Sequence, residues 1–139
     1  ADGINDPVGR EASAIKDNRS RYERGRDVLA EISGTPADTP KVGYAVFAPT
    51  IERFLKEHLF ADLFGRDLLT WRERELATVS ILAGVGGVEP MAYGHMSICL
   101  HLGITVGQLS ALLNIVETNL GKTYSESLRG VLNQLTEKK

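Results

Sequence analysis

Two apolar patterns of helical period meet at the glycine pair Gly86-Gly87, and that joint restricts the fold more than any other feature of the chain. Upstream, Leu76, Val79, Leu82 and Ala83 recur on one face of a helix, and Gly84, Gly86 and Gly87 end it. Downstream, Pro90 suits a first turn, and Met91, His95, Ile98, Cys99 and Leu102 follow at i, i+4, i+7, i+8 and i+11 before Gly103 stops the run. The reading is two antiparallel helices on a short glycine turn. Each carries one titratable residue among apolar ones: Glu75 at the edge of the first buried face, His95 in line with the second.

The flanking sequence is punctuated in the same way. A first helix is expected from Arg19 to Ile32, stopped by Ser33-Gly34-Thr35-Pro36, with a loop from Pro36 to Pro40. A second is expected from Pro49 to about Phe64, closing on Gly65, with Ile51, Phe54, Leu55 and Leu59 as its stripe and His58 on the same side. Thr70 with Glu73, Thr105 with Gln108 and Thr123 with Glu126 have the spacing of capping boxes and start three more helices. Leu109, Leu112, Leu113, Val116 and Leu120 line one of them up to Gly121, and Leu128, Val131, Leu132 and Leu135 line the last. No alternating strand pattern of useful length competes. The expectation is an all-α domain of about six helices over residues 19–139, preceded by a polar, flexible arm over residues 1–18 of the kind that docks on a neighbour in an oligomer.

Composition removes several functions. The 139 residues carry a formal net charge of −2 with no dense basic run, which argues against nucleic acid. Apolar stretches are broken well before the roughly 20 residues that span a bilayer, so no membrane is expected. The single cysteine, Cys99, excludes an internal disulfide and a two-thiol redox centre within one chain. The chain begins Ala1-Asp2-Gly3 without an initiator Met, consistent with removal of a signal peptide, a tag or an upstream domain.

The candidate chemistry lies at the central helix pair. If the register brings Glu75 to His95, a buried carboxylate orients the ring and raises its basicity, which makes an acid–base device. The alternative for His95 is a satisfied imidazole in a core. Arg72 and Arg74 flank Glu75 and are candidate contacts for an anionic substrate, or else an exposed ion-paired face. Glu89, Met91 and Cys99 complete the candidate substrate-binding set. Glu89 also fits as a charge at a helix N-terminus, and Cys99 as a small core hydrophobe. His58 reads as structural or interfacial and His101 as solvated. No metal site is expected, because no carboxylate–histidine pair repeats and His95 and His101 are not spaced i, i+4. There is no phosphate loop, Rossmann glycine pattern or nucleophile elbow.

The run RERELATVSILAGVGGVEPMAYGHMSICLHLGIT (residues 72–105) resembles the signature of the carboxymuconolactone decarboxylase family, within the alkylhydroperoxidase D-like superfamily. RYERGRDVLAEISG and FLKEHLFADLFGRDLLT upstream are similar too, so the resemblance runs from about Arg21 to Leu113. It implies an alkylhydroperoxidase D-like helical fold, an obligate-type trimer or hexamer, and a site between helices near subunit contacts. In the redox branch of that superfamily a Cys-x-x-Cys precedes a histidine, with an upstream relay glutamate. Laid on this chain, the histidine is His95, the glutamate is best matched by Glu75, and the two thiols fall on Val88 and Met91. Peroxidase chemistry of that type is therefore expected to be lost.

The decarboxylase branch also lacks those cysteines and has the Gly-Gly-x-Glu-Pro turn present at Gly86 to Pro90. The resemblance thus implies a cofactor-free carboxy-lyase acting on a small carboxylated lactone or enol acid, as in aromatic catabolism. His95 would be the acid/base, Glu75 its orienting partner, and Arg72 or Arg74 the anion contacts. The alternatives are a non-catalytic oligomeric scaffold or small-molecule binding protein and, less readily, an alkylhydroperoxidase. The expected location is cytoplasmic, or periplasmic if a signal peptide preceded Ala1. The chain departs from the branch at IVETNLGKTYSESLRGVL, a segment that helps to shape the pocket.

Overall fold

Three helices begin where a hydroxyl and a carboxylate or amide three residues apart satisfy each other's backbone amides. Ser20 with Glu23 opens α1 (Arg21–Ser33), Thr70 with Glu73 opens α4 (Trp71–Val85), and Thr105 with Gln108 opens α6 (Val106–Leu120). Each such cap is worth about 1 kcal/mol. Between α1 and α4 lie the short helices α2 (Tyr44–Phe47) and α3 (Pro49–Phe54), the latter running into a π-helical segment, Leu55–Leu63. Helices α5 (Glu89–His101) and α7 (Lys122–Glu137) complete the chain. The computed structural model describes Gly3 and residues 5–137; the remaining residues of the expected arm and of the C-terminus lie outside it. Among the described residues there are seven α-helices, the π segment and no strand, so the chain is all-α as expected. None of these helices is long and apolar enough to cross a membrane.

The core is built by α4 to α7. Val79, Leu82, Ala92, Met96, Cys99, Leu109, Leu113, Leu128 and Leu132 bury their side chains together, and Val116, Val131 and Leu135 join them. The stripes expected for α4, α6 and α7 are on the inside, except that Leu120 is exposed at the end of α6. The stripe expected for α5 is rotated. Ala92, Met96 and Cys99 are the buried positions, and Met91 is 55 % exposed. This helix is apolar over most of its circumference, so its sequence offers several faces. Its packing against α4, α7 and α1 selects the one with the small Ala92.

The segment from Pro49 onward differs most from expectation. Ile51 and Phe54 are exposed, whereas Glu52, Ala61 and Phe64 are buried. From Leu55 the backbone bonds run i to i+5, as in the bond from the Phe64 amide to the Leu59 carbonyl at 2.9 Å, and the wider winding moves every later side chain off a 3.6-residue stripe. The last helix starts at Lys122, so Thr123 falls within it rather than capping it. The described part of the arm forms no helix. It is tethered to its own chain: the Arg10 guanidinium and the Ser13 amide donate to the Asp67 carboxylate at 3.2 and 3.0 Å.

Gly25, in the middle of α1, lets that helix touch the π segment backbone to backbone. A Cβ there would stand 1.8 Å from the Lys56 carbonyl oxygen. At Gly130 on α7 nothing lies within 4 Å of an added Cβ. Gly25→Ala is expected to lower the unfolding free energy by about 2–4 kcal/mol through forced separation of the two segments. Gly130→Ala is expected to raise it by about 0.5–1 kcal/mol through helix propensity. Urea midpoints at unchanged m-value measure both, and equal midpoints for the two variants would contradict the close approach.

Candidate functional site

Gly86 and Gly87 take φ of +69° and +67°, a backbone that side-chain-bearing residues rarely adopt, and this turn reverses the chain between α4 and α5. The resulting antiparallel pair brings together residues twenty apart in sequence. The Glu75 Oε2 and the His95 Nδ1 are 2.8 Å apart. Glu75 has no exposure at all, so it lies inside the core rather than at the edge of a face, while the His95 side chain is 28 % exposed. An ionised carboxylate can only accept, so facing it Nδ1 carries the hydrogen and the ring is held by a charge-assisted bond. That tautomer leaves Nε2 as the lone-pair nitrogen of a partly exposed imidazole.

The second oxygen of Glu75 is unusual. Oε1 is buried and has no hydrogen-bond partner within the protein. A buried acceptor left in that state costs roughly 1–3 kcal/mol, which the bond from His95 has to offset. Cys99 lies in the same interior. Burial, and then the charge of Glu75, push its thiol up to about 12. A thiol so shifted is neither a nucleophile nor a metal ligand at neutral pH.

The other candidates occupy different places. Arg72 donates to the Gly103 carbonyl at 3.4 Å and lines a hollow with Trp71 and Leu102. Arg74 donates to the Arg66 carbonyl at 3.4 Å and sits over the Phe64 ring. Neither arginine is bonded to Glu75 or His95. Glu89 stands in the first turn of α5 and accepts a hydrogen bond from the Ser127 hydroxyl of α7, which holds its carboxyl below the usual range. It lines two hollows, of about 300 Å³ beside Gly86 and Tyr124 and about 400 Å³ beside Tyr93 and Gln134. His101 is exposed as expected, but its Nε2 is 3.1 Å from the Glu31 carbonyl, so the ring also joins α5 to α1. His58 lies 3.7 Å from Asp62 on the surface.

Sequence reasoning missed two features. Ser127 lies beside the stripe of Leu128, Val131, Leu132 and Leu135 and does not stand out from it, although Tyr124 and Ser127 at i, i+3 mark a face turned toward the α5 N-terminus. It also missed a second buried carboxylate, Glu52, held by Lys41 at 3.0 Å and by Lys56 one turn on. The i, i+4 acid–base spacing of Glu52 and Lys56 was the available signal. Among the described residues no three of His, Cys, Asp and Glu cluster as they would around a metal ion.

Compared with known proteins, the chain matches no family model and no curated protein.

With its thiol pKa at about 12, only about one Cys99 in ten thousand is a thiolate at pH 8. A disulfide reagent such as dithionitrobenzoate is therefore expected to leave the native protein unlabelled and to titrate one thiol after unfolding in urea. Rapid stoichiometric labelling of the native protein would show that Cys99 is a reactive thiol instead.

Proposed function

We propose that the chain is a cofactor-free enzyme that moves protons with His95 and Glu75, a carboxymuconolactone decarboxylase-like carboxy-lyase acting on a small carboxylated lactone or enol acid. The observation that carries this reading is the bond between His95 and a wholly buried carboxylate whose other oxygen has no partner. In such a reaction the bond from carbon to the leaving carboxylate breaks as carbon dioxide departs. Its electron pair enters the conjugated system of the substrate, and the imidazolium of His95 returns a proton to carbon from Nε2. Glu75 holds the ring through Nδ1 and stabilises its charged form while the proton is in hand. Binding the substrate's carboxylates calls for cations. Arg72 and Arg74 keep that role in the proposal, although both now donate to backbone carbonyls and would have to turn from them.

The same proposal includes an alkylhydroperoxidase D-like arrangement of the helices, assembly into a trimer or hexamer, and a cytoplasmic location, or a periplasmic one behind a signal peptide. Apolar side chains that a second copy would cover support the assembly. Ile81, Val85 and Met91 are more than half exposed near the glycine turn, and Leu120 and Tyr124 flank Gly84 and Gly86. A second reading, a non-catalytic oligomeric scaffold or small-molecule binding protein, is favoured by the arginines' bonds, which go to the Gly103 and Arg66 carbonyls and not to the His95 pair. Peroxide reduction is opposed by Val88 and Met91 at the expected thiol positions and by the high pKa of Cys99.

His95→Ala and Glu75→Gln are each expected to lower turnover of a carboxylated muconolactone by about 10²–10⁴, the usual contribution of a positioned acid–base group. Unchanged turnover in folded His95→Ala would remove the mechanism. Light scattering at micromolar concentration is expected to give the mass of three or six chains, and a monomer would overturn the proposed assembly.

A further inference from the structure

Away from Glu75 and His95 lies a hollow of about 270 Å³, walled by the second half of α1, the loop that follows it, α2 and α3. Leu29, Ala30, Pro36, Val42 and Ala45 give it an apolar lining. Ser33, Thr35, Thr39 and Tyr44 also line it, and its charged lining is mainly cationic. Arg26, Lys41 and Lys56 face it against a single carboxylate, Glu52. Arg26 is balanced by Asp27 at 2.8 Å, which leaves two ammonium groups sharing Glu52. Glu52 is 3 % exposed. Burial pushes its carboxyl up, but the bonds from Lys56 and Lys41 outweigh that and keep it below the usual range. Lys56 is itself mostly buried, over the ring of Tyr22 at 5.1 Å.

The charges of Arg26, Lys41, Lys56, Asp27 and Glu52 therefore sum to one positive unit beside an apolar wall. A monovalent anion with an apolar body answers both halves of that arrangement. We propose that this hollow is a binding site for small amphipathic carboxylates. The carboxylate head sits against Lys41 and Lys56 and the hydrocarbon body lies along Leu29, Pro36 and Val42. The volume is near the low end of small-ligand pockets, about 300 Å³, which limits the ligand to a single-ring acid or a chain about as long as octanoate. A multiply charged, strongly hydrated anion such as phosphate is disfavoured, because the site offers one excess charge and little polar wall. The hollow shares no residue with the Glu75–His95 pair, so it stands whether or not that pair is catalytic.

Calorimetric titration of the full chain with octanoate tests the site. Octanoate is expected to bind at least about tenfold more tightly than octanol, and inorganic phosphate is expected not to compete. Lys41→Met keeps the stem of a half-exposed side chain and removes its charge. It is expected to weaken octanoate by at least about tenfold while octanol is unaffected. Ala45→Trp, which fills the hollow from α2, is expected to abolish binding of both, and it provides the test if Lys41→Met does not fold. Equal affinity for octanoate and octanol, no octanoate binding at millimolar concentration, or unchanged binding to Ala45→Trp would each overturn the proposal.

Discussion

Placing the Glu75 carboxylate at zero exposure ties together most of what α4 and α5 do. A carboxylate stripped of water needs a donor of matching geometry, and without one it is among the costliest groups a core can hold. His95 is that donor, at 2.8 Å, and it reaches Glu75 only if the two helices run antiparallel in one register. The positive φ angles at Gly86 and Gly87 make the turn, and packing of Val79, Met96 and Cys99 in the shared core holds the two helices together. Turn, register and ion pair are therefore one constraint rather than three. The raised thiol of Cys99 follows from it, because the same burial and the same charge act on its neighbour.

Among the described residues two carboxylates are buried, and their oxygens are satisfied differently. Glu52 has both oxygens satisfied, one by Lys41 and one by Lys56, and so ties α3 and the π segment to the loop before α2. Glu75 has one oxygen satisfied and one not. Its partner is an imidazole, the side chain that changes charge near neutral pH, and that imidazole is partly open to solvent while the carboxylate is not. That asymmetry suits the proposed proton transfer, and a pair that only stabilises the fold has no need of it.

The backbone approach at Gly25 plays a comparable part on the other side of the molecule. With no Cβ in the way, α1 meets the carbonyl of Lys56 directly, and the π segment presents that carbonyl. This contact places α1 against the segment that carries Glu52 and Lys56, so the cationic hollow between α1, α2 and α3 depends on a missing side chain as much as on those present.

The sequence by itself determined that the chain is helical, where α4 and α6 begin, where the chain reverses, and which faces of α4, α6 and α7 turn inward. Capping, glycine stops and strong amphipathicity are local properties, and local properties are legible one helix at a time. It also singled out Glu75 and His95, because a charge in an apolar stripe stands out against its neighbours. Tertiary structure decided the rest. The face of α5 was undetermined because that helix is apolar nearly all round, and only packing against α4, α7 and α1 selected Ala92 and Met96 over Met91. The stripe of Ile51 and Phe54 failed because α3 turns Glu52 inward to meet Lys41 and Lys56, and from Leu55 the π winding takes the later side chains off a 3.6-residue period. The meeting of Glu75 with His95, and of Lys41 with Glu52, likewise required the fold, since a side chain's partner across a helix pair depends on a register that no single helix encodes.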